Sequence, residues 1–150
     1  MKLMKNKTLQ SISVTDIANT AGISRMTYYR NYGTKEQILR EYMKLLTRDY
    51  VQALGNAGVP RCNHTHILCA VRCFYQNREF VDCLERAGMS QILLEGITCY
   101  LLQAYAVRDD DFTGQCTLRA LAGAVYAICM HWFREGMRQS QEQVADVIVG

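Results

Sequence analysis

The sequence predicts an all-α protein, and three observations lead to that prediction. The 150 residues include ten glycines and one proline, so the turns that many short strands would need are scarce. Apolar residues recur at helical spacing in several segments, whereas no segment alternates convincingly as a strand. Hydrophobic residues make up 49% of the chain, enough to bury a core and to exclude disordered and fibrous classes.

The first two predicted helices are short and follow each other closely. Thr15 is expected to cap the first helix, and Gly22 can adopt the left-handed conformation that closes it. Ser24 is expected to cap the second helix, which continues to about Arg30 before Gly33 stops it. The segment therefore predicts two helices joined by a glycine turn.

A third, longer helix is predicted to begin at Thr34, which forms a capping box with Gln37, and to continue to Leu54. Its expected apolar face consists of Ile38, Leu39, Tyr42, Leu45 and Leu46. Residues 55–60 form the only Gly/Pro-rich stretch of the sequence, so we place a domain boundary there. The predicted domains are residues 1–54 and residues 55–150.

The second domain is also predicted to be helical. Ser140 and Gln143 form another capping box, which is followed by apolar residues at helical spacing. The predicted helices cover residues 63–86, 89–107, 113–136 and 140–149.

Charge and cysteine usage restrict the classes of function. Residues 1–50 contain nine Lys and Arg against four Asp and Glu, whereas residues 51–150 contain eight against ten. A basic first part is typical of a module that binds a polyanion.

The seven cysteines are scattered without a CxxC pair, which predicts reduced thiols in a cytosol. Residues 120–133, the longest stretch without Lys, Arg, Asp or Glu, are too few for a membrane span of about 20 residues, and no basic-then-apolar leader opens the chain. We expect a cytoplasmic protein.

The pattern between Val14 and Asn31 is compatible with a helix-turn-helix. Ala18 is small enough for two helices to cross closely, and Gly22 supplies the turn. The residues expected to face the third helix are Ile17, Ala21, Ile23 and Tyr28. The exposed positions of the second helix would be Arg25, Met26, Thr27 and Tyr29. The alternative on this geometry alone is an ordinary helical hairpin with a glycine turn.

The run VTDIANTAGISRMTYYRNYGTKE at residues 14–36 closely resembles the DNA-binding signature of the TetR family of transcriptional regulators. The matching features include the aromatic pair Tyr28-Tyr29, the further aromatic Tyr32, and Lys35-Glu36. The resemblance implies a homodimer, expected to be a repressor, that binds a palindromic operator and is released by a small-molecule effector. The two recognition helices would enter successive major grooves roughly 34–36 Å apart.

The resemblance also assigns roles to individual residues. The implied DNA-binding residues are Thr15, Ser24, Arg25, Met26, Thr27, Tyr29, Tyr32 and Lys35. Tyr29, Tyr32 and Lys35 would hold phosphates, with Thr15 and Ser24 helping at helix N-termini. Arg25, Met26 and Thr27 would lie nearest the bases, because Arg can read guanine and Met or Thr methyl groups can meet a thymine methyl. Tyr28 would be mostly core.

One departure from the family concerns the helix that normally precedes this signature. Residues 1–5 could be only its tail and residues 6–10 a loop, which leaves Leu3, Met4 and Leu9 as the main apolar anchors. We expect a three-helix DNA-binding head whose first helix is largely missing, and weaker DNA binding than a complete relative shows.

By the same resemblance, residues 55–150 would bind the effector and form the dimer. Small residues follow helical spacing in a stripe made of Cys116, Ala120, Gly123, Ala124, Ala127 and His131. Such a stripe suits two closely crossed helices, either within the chain or between two copies, and the family favours a dimer interface at Ala120, Gly123, Ala124 and Ala127. Candidate ligand-binding aromatics are Phe74, Tyr100 and Tyr126, although most large aromatics are core. Glu95 is either a polar group in a ligand cavity or part of a solvated face.

Other functions have weaker support in the sequence. His66, Cys69 and Cys73 share a helix face near Cys62 and could bind a metal, but buried packing is the favoured interpretation, so no metal or cofactor is predicted. A nucleophile elbow, a phosphate loop and a zinc-helix motif are all missing from the sequence, and Asp109-Asp110-Asp111 reads as an acidic loop before a helix. We therefore expect no enzyme. The alternative to the regulator is a TetR-like protein-binding module that acts through its C-terminal surface without DNA.

Overall fold

A computed structural model of the chain describes residues 2–54 and 63–150. Within these two ranges there are eight α-helices and no strand, so the all-α prediction is confirmed. A short 3-10 helix, Lys2–Lys5, comes first. The α-helices are α1 (Val14–Ala21), α2 (Arg25–Asn31), α3 (Lys35–Leu54), α4 (His64–Gln76), α5 (Arg78–Arg86), α6 (Gln91–Ala104), α7 (Phe112–Arg134) and α8 (Gln141–Val149).

Helices α1 and α2 begin and end at residues suited to those positions. Ser13 caps α1: its hydroxyl accepts the Asp16 N–H at 3.0 Å, and the Asp16 carboxylate accepts the Ser13 N–H. The prediction that Thr15 is the cap was therefore wrong, because Thr15 already lies in the first turn of α1. Gly22 closes α1 in the left-handed region (φ 66), and the Ser24 hydroxyl accepts the Thr27 N–H at 3.0 Å, so both of these predictions are confirmed.

Helix α3 has the predicted length but only half of the predicted capping box. The Gln37 N–H donates to the Thr34 hydroxyl at 3.1 Å, whereas the Gln37 side chain bonds Glu41 instead of turning back. Leu45 and the earlier Ala21, both expected to face inward, are exposed. The predicted domain boundary at 55–60 lies outside the described residues.

The predicted helix over residues 63–86 is two helices in the structure. Helix α4 ends at Gln76 and α5 begins at Arg78, with Asn77 between them. The Cys73 carbonyl accepts both the backbone N–H of Asn77 at 3.1 Å and its side-chain amide at 2.9 Å, so the asparagine side chain bonds back to the end of α4. Helices α6, α7 and α8 lie within three residues of their predicted bounds, and the Ser140–Gln143 capping box is confirmed.

The N-terminal segment is part of the largest core cluster. Met4, Leu9 and Ile12 are buried, with 6%, 8% and 3% of their surface exposed, and they join Leu39 and residues of α5, α6 and α7. Ile12 was missed by the sequence analysis, whereas the expected anchor Leu3 is only half-buried. These residues bury apolar surface beneath α3.

Two further clusters complete the core. One lies between α4, α7 and α8, and the other lies between α6 and α7. By length and apolar composition, α7 is the one helix in the described ranges that could cross a membrane, and its inner side packs against α6 and α8. Helix α5 is tied to α7 by Glu85, whose pKa is lowered by hydrogen bonds from the Ser90 hydroxyl and the Arg134 guanidinium.

Candidate nucleic-acid interface and internal cavity

Helix α2 has one buried side and one strongly exposed, basic side. Tyr28 is 1% exposed, and its ring packs edge-on against Tyr29 at 5.3 Å between centroids. Desolvation raises the pKa of Tyr28, as expected for a hydroxyl within a core. On the outer side, Met26 is 81% exposed and Tyr29 is 54% exposed. This arrangement leaves α2 held by Tyr28 with its opposite face open to solvent.

Helix α2 carries an exposed positive charge near each end. Arg25 and Arg30 are both exposed, and the helix sequence RMTYYRN contains no acidic residue. Arg30 was not among the predicted DNA-binding residues, although its charge at the end of the second helix was a usable signal. The two guanidinium groups give this surface the charge that attracts a phosphate backbone.

Two of the predicted contact residues take part in starting α2. Thr27 is half-buried, in contrast to its predicted exposure, and its hydroxyl lies 2.9 Å from the Ser24 hydroxyl. Ser24 is exposed, as is Thr15 in the first turn of α1. The N-termini of both helices therefore present polar groups to solvent.

Lys35 has a structural role that the sequence analysis did not predict. Its ammonium donates to the backbone carbonyls of Leu9 at 2.7 Å, Ile12 at 2.8 Å and, more weakly, Gln10 at 3.3 Å. Lys35 thereby ties the first turn of α3 to the N-terminal segment. A contact between Lys35 and a phosphate stays a prediction, as does one for Tyr32, which is half-buried at the end of α2.

The predicted small-residue stripe lies on the outer side of α7. Cys116, Ala120, Ala124, Ala127 and His131 are exposed, and Gly123 is half-buried. The opposite side of the helix carries the buried residues Leu118, Ala122, Val125, Cys129 and Trp132. A methyl group added at Gly123 would meet no atom within 4 Å. The stripe therefore faces away from the core of its own chain.

A cavity of about 140 Å³, partly open to solvent, lies between α3, α4, α5, α6 and α7. Of the predicted ligand-binding aromatics, Phe74 and Tyr100 line this cavity. Tyr126 does not, and it packs instead against the core cluster that contains the N-terminal segment. The reason is helical geometry, since Val125 and Cys129 on α7 turn toward the cavity and Tyr126 points about 100° away from Val125.

Two tyrosines line the cavity, together with the polar residues Thr47 and Asn77. The rings of Tyr50 and Tyr100 meet edge-to-face, with 5.2 Å between their centroids. The Tyr50 hydroxyl also lies 3.3 Å from the His66 carbonyl, to which it can donate. Burial raises the pKa of both tyrosines and that of Cys73, another lining residue. All three groups are therefore neutral at physiological pH.

Other predicted polar residues lie outside this cavity or have structural roles. Glu95 is exposed and forms an ion pair with Arg40 of α3, as the solvated-face interpretation expects. Asp111 caps α7, where its carboxylate accepts the Gly114 N–H at 2.9 Å. In residues 2–54 and 63–150, no three His, Cys, Asp or Glu side chains gather into a group able to hold a metal ion. Cys62 is outside those ranges.

No family model matches this chain, and the search of curated proteins finds no match to it.

Proposed function

We propose that this chain is a TetR-type, DNA-binding transcriptional regulator that acts as a homodimer on a palindromic operator. The observation that carries the proposal is the 14–36 run, which resembles the family's DNA-binding signature and folds as two short capped helices with an exposed basic second helix. In this proposal α1 and α2 form the helix-turn-helix, α2 is the recognition helix, and residues 55–150 form the regulatory body.

The exposed side of α2 supplies the contacts with DNA. The N-terminal residues of a recognition helix lie closest to the base edges, which gives Arg25 and Met26 that position. Arg25 reads guanine, and the Met26 methyl group meets a thymine methyl. Tyr29, Arg30 and the helix N-termini hold the phosphates on either side.

The outer side of α7 supplies the homodimer interface. Its small residues allow a second helix to approach closely, and the open space around Gly123 is compatible with that approach. An interface of this kind is isologous, so the same stripe serves both copies. The dimer would hold two α2 helices roughly 34–36 Å apart on the operator.

The cavity supplies the effector site, and α3 connects it to the proposed DNA-binding head. Met43 and Tyr50 of α3 line the cavity, while Lys35 at the start of the same helix holds the N-terminal segment. A ligand in the cavity would therefore contact the helix that directly follows α2. Such a ligand favours release from DNA only if it binds the released conformation more tightly than the DNA-bound one. The proposed form of regulation is a repressor that the ligand releases from its operator.

Operator selection tests the DNA-binding proposal. The chain is incubated with a pool of random double-stranded DNA, and the captured sequences are determined. Arg25→Ala should weaken binding to the selected operator about tenfold or more, since a bidentate contact with guanine is worth about 1–3 kcal/mol. Arg138→Ala removes an exposed arginine from the turn between α7 and α8 and serves as the matched control. Equal affinity of the two variants would argue against α2 as the recognition helix.

Sedimentation equilibrium tests the dimer separately. Ala124→Arg places a charge in the stripe and should produce a monomer, because an unpaired charge in a helix interface is costly. Ala53→Arg adds the same side chain at an exposed position of α3 and should leave the dimer intact. A wild-type chain that sediments as a monomer at micromolar concentration would contradict the proposed homodimer.

The second candidate function is a protein-binding module that does not need DNA. Phe112 at the start of α7 is 80% exposed and Val147 on α8 is 67% exposed, and this alternative would use them as contacts with a protein partner. A chain that dimerises but selects no sequence from the DNA pool would favour this function.

A further inference from the structure

Two cysteines lie one helical turn apart on α4. Cys69 and Cys73 are both half-buried, and both are free thiols. Side chains at positions i and i+4 of a helix are neighbours, with about 5–6 Å between their Cβ atoms. Cys73 also lines the cavity that is partly open to solvent. The two thiols are therefore neighbours, and one of them faces a space that a small solute can enter.

The groups around this pair include two that stabilise a thiolate. The Asn77 side-chain amide can donate to the Cys73 sulfur, with 3.8 Å between the two atoms. Arg72 follows Cys69 by three positions on α4, so its guanidinium is a neighbour of that thiol. Partners of this kind orient metal ligands and tune their affinity.

Both thiols are protonated at physiological pH. Burial raises the pKa of both, and the Arg72 charge opposes this only in part at Cys69. At Cys73 the exposed carboxylate of Asp49 adds to the effect of burial on the pKa. A ligand that takes both sulfurs must therefore displace two protons.

The absence of a third ligand restricts the kind of metal ion that the pair can hold. In residues 2–54 and 63–150, no third His, Cys, Asp or Glu joins the two cysteines. Zinc takes at least three protein ligands, and calcium and magnesium take oxygen ligands. Thiolates select soft ions such as Cu(I), which is stable with two of them. Metal–thiolate bonds are about 2.3 Å long, so one ion joins sulfur atoms up to about 4.6 Å apart, a separation within reach of this pair.

We infer that Cys69 and Cys73 bind one Cu(I) ion between their sulfur atoms. Binding forms two copper–sulfur bonds and releases the two thiol protons to solvent, while copper remains Cu(I). The bound unit carries one negative charge, which the neighbouring guanidinium of Arg72 offsets. The inference names a soft monovalent metal ion as the effector of the proposed regulator and in that respect rests on the proposed function. Binding itself depends only on the α4 pair, so it can be measured without DNA.

Competition with the coloured Cu(I) chelator bicinchoninate measures this binding on the full, reduced chain without oxygen. The wild-type chain should withdraw one Cu(I) per chain from the chelator. Cys69→Ser and Cys73→Ser should each weaken binding at least about 100-fold, since even the outer-shell partners of metal ligands are worth about 10–100-fold. Cys99→Ser and Cys116→Ser remove exposed thiols outside the pair and should leave it unchanged.

Circular dichroism of each variant establishes that it is folded. Unchanged Cu(I) affinity in either Cys69→Ser or Cys73→Ser would overturn the inference. Failure of the wild-type chain to bind Cu(I) at micromolar concentration would overturn it as well.

X-ray absorption at the copper edge counts the ligands of the bound ion. Two sulfur neighbours are expected, and a third sulfur or a nitrogen ligand would overturn the two-thiol site. Zn(II) is the matched metal control, because a pair without a third ligand should not hold it at micromolar concentration. Tight zinc binding that Cys69→Ser abolishes would reveal a further ligand and overturn the assignment to Cu(I).

Adding DNA separates this inference from the proposed function. A chain that binds Cu(I) through the pair but selects no DNA sequence retains the metal site and loses the regulator proposal. A chain that selects an operator but binds no Cu(I) retains the regulator proposal and loses the metal site. If both bind, saturating Cu(I) should weaken operator binding in wild type and not in Cys69→Ser, and an unchanged operator affinity would overturn the role of Cu(I) as effector.

Discussion

The contacts of Lys35 predict that this residue stabilises the protein independently of any DNA. Lys35→Met removes the ammonium while keeping most of the aliphatic stem, so the carbonyls of Leu9, Gln10 and Ile12 lose their charged donor. Hydrogen bonds to a charged group contribute about 1.5–3 kcal/mol. Since Lys35 is half-buried, water can bond some of these carbonyls in the variant and recover part of the lost stabilisation. We therefore expect the free energy of unfolding to fall by about 2–3 kcal/mol. For a chain of this size the melting temperature should fall by about 4–12 °C.

Urea and thermal unfolding followed by circular dichroism measure this loss. Lys44→Met is the matched control on the same helix, because Lys44 is 71% exposed and pairs only across the surface with Glu41. Such a pair contributes about 0–1 kcal/mol. Amide hydrogen exchange of residues 9–12 should accelerate in Lys35→Met and not in Lys44→Met. If the two variants unfold at the same urea concentration and exchange alike, the proposed anchoring role of Lys35 is refuted.

Three further predictions concern stability and reactivity. Gly22→Ala should destabilise the fold by about 1–2 kcal/mol in urea unfolding, because a φ of 66° is unfavourable for a residue with a Cβ. The added methyl group itself meets no atom within 4 Å. An unchanged free energy of unfolding would contradict this expected backbone strain. Cys129, whose pKa burial raises to about 12, should resist iodoacetamide at pH 8 in the folded chain, whereas the exposed Cys99 and Cys116 should react, as mass spectrometry would show. Glu85, whose carboxyl pKa lies below the ordinary 4.5, stabilises the fold above about pH 4.5, and this contribution disappears as the pH falls through its folded pKa. The stability advantage of wild type over Glu85→Gln should therefore be largest above pH 5 and narrow below pH 4, and a constant difference would contradict this.

Much of the helical fold could be predicted because several helix ends are encoded locally. Gly22, Ser24 and the Ser140 capping box act through residues within three or four positions, so the sequence contains their full cause. The break at Asn77 could not be predicted in the same way. An asparagine within an apolar periodic segment is common, and the bond from its side chain back to the Cys73 carbonyl is visible only in the structure.

Exposed residues of the candidate nucleic-acid interface could be predicted where the periodicity of one helix determines which side chains face solvent. The exposed positions Arg25, Met26 and Tyr29 follow from the periodicity of α2 and from the burial of Tyr28. Contacts between distant segments were not predictable from local patterns. The bonds from Lys35 to residues 9–12 span more than 20 positions. The orientation of Tyr126 away from the cavity depends on how α7 is rotated against its neighbours.

Sedimentation of the purified chain with a pool of random double-stranded DNA, at about 50 mM and about 200 mM salt, addresses the proposed regulator most directly. We predict a dimer that enriches one palindromic sequence and binds it far more tightly at the lower salt concentration. If a dimer neutralises about four to six phosphates, log K against log salt should have a slope of about −4 to −5. A chain that stays free of DNA at 50 mM salt, or that binds without a preferred sequence and without salt dependence, would contradict the proposal.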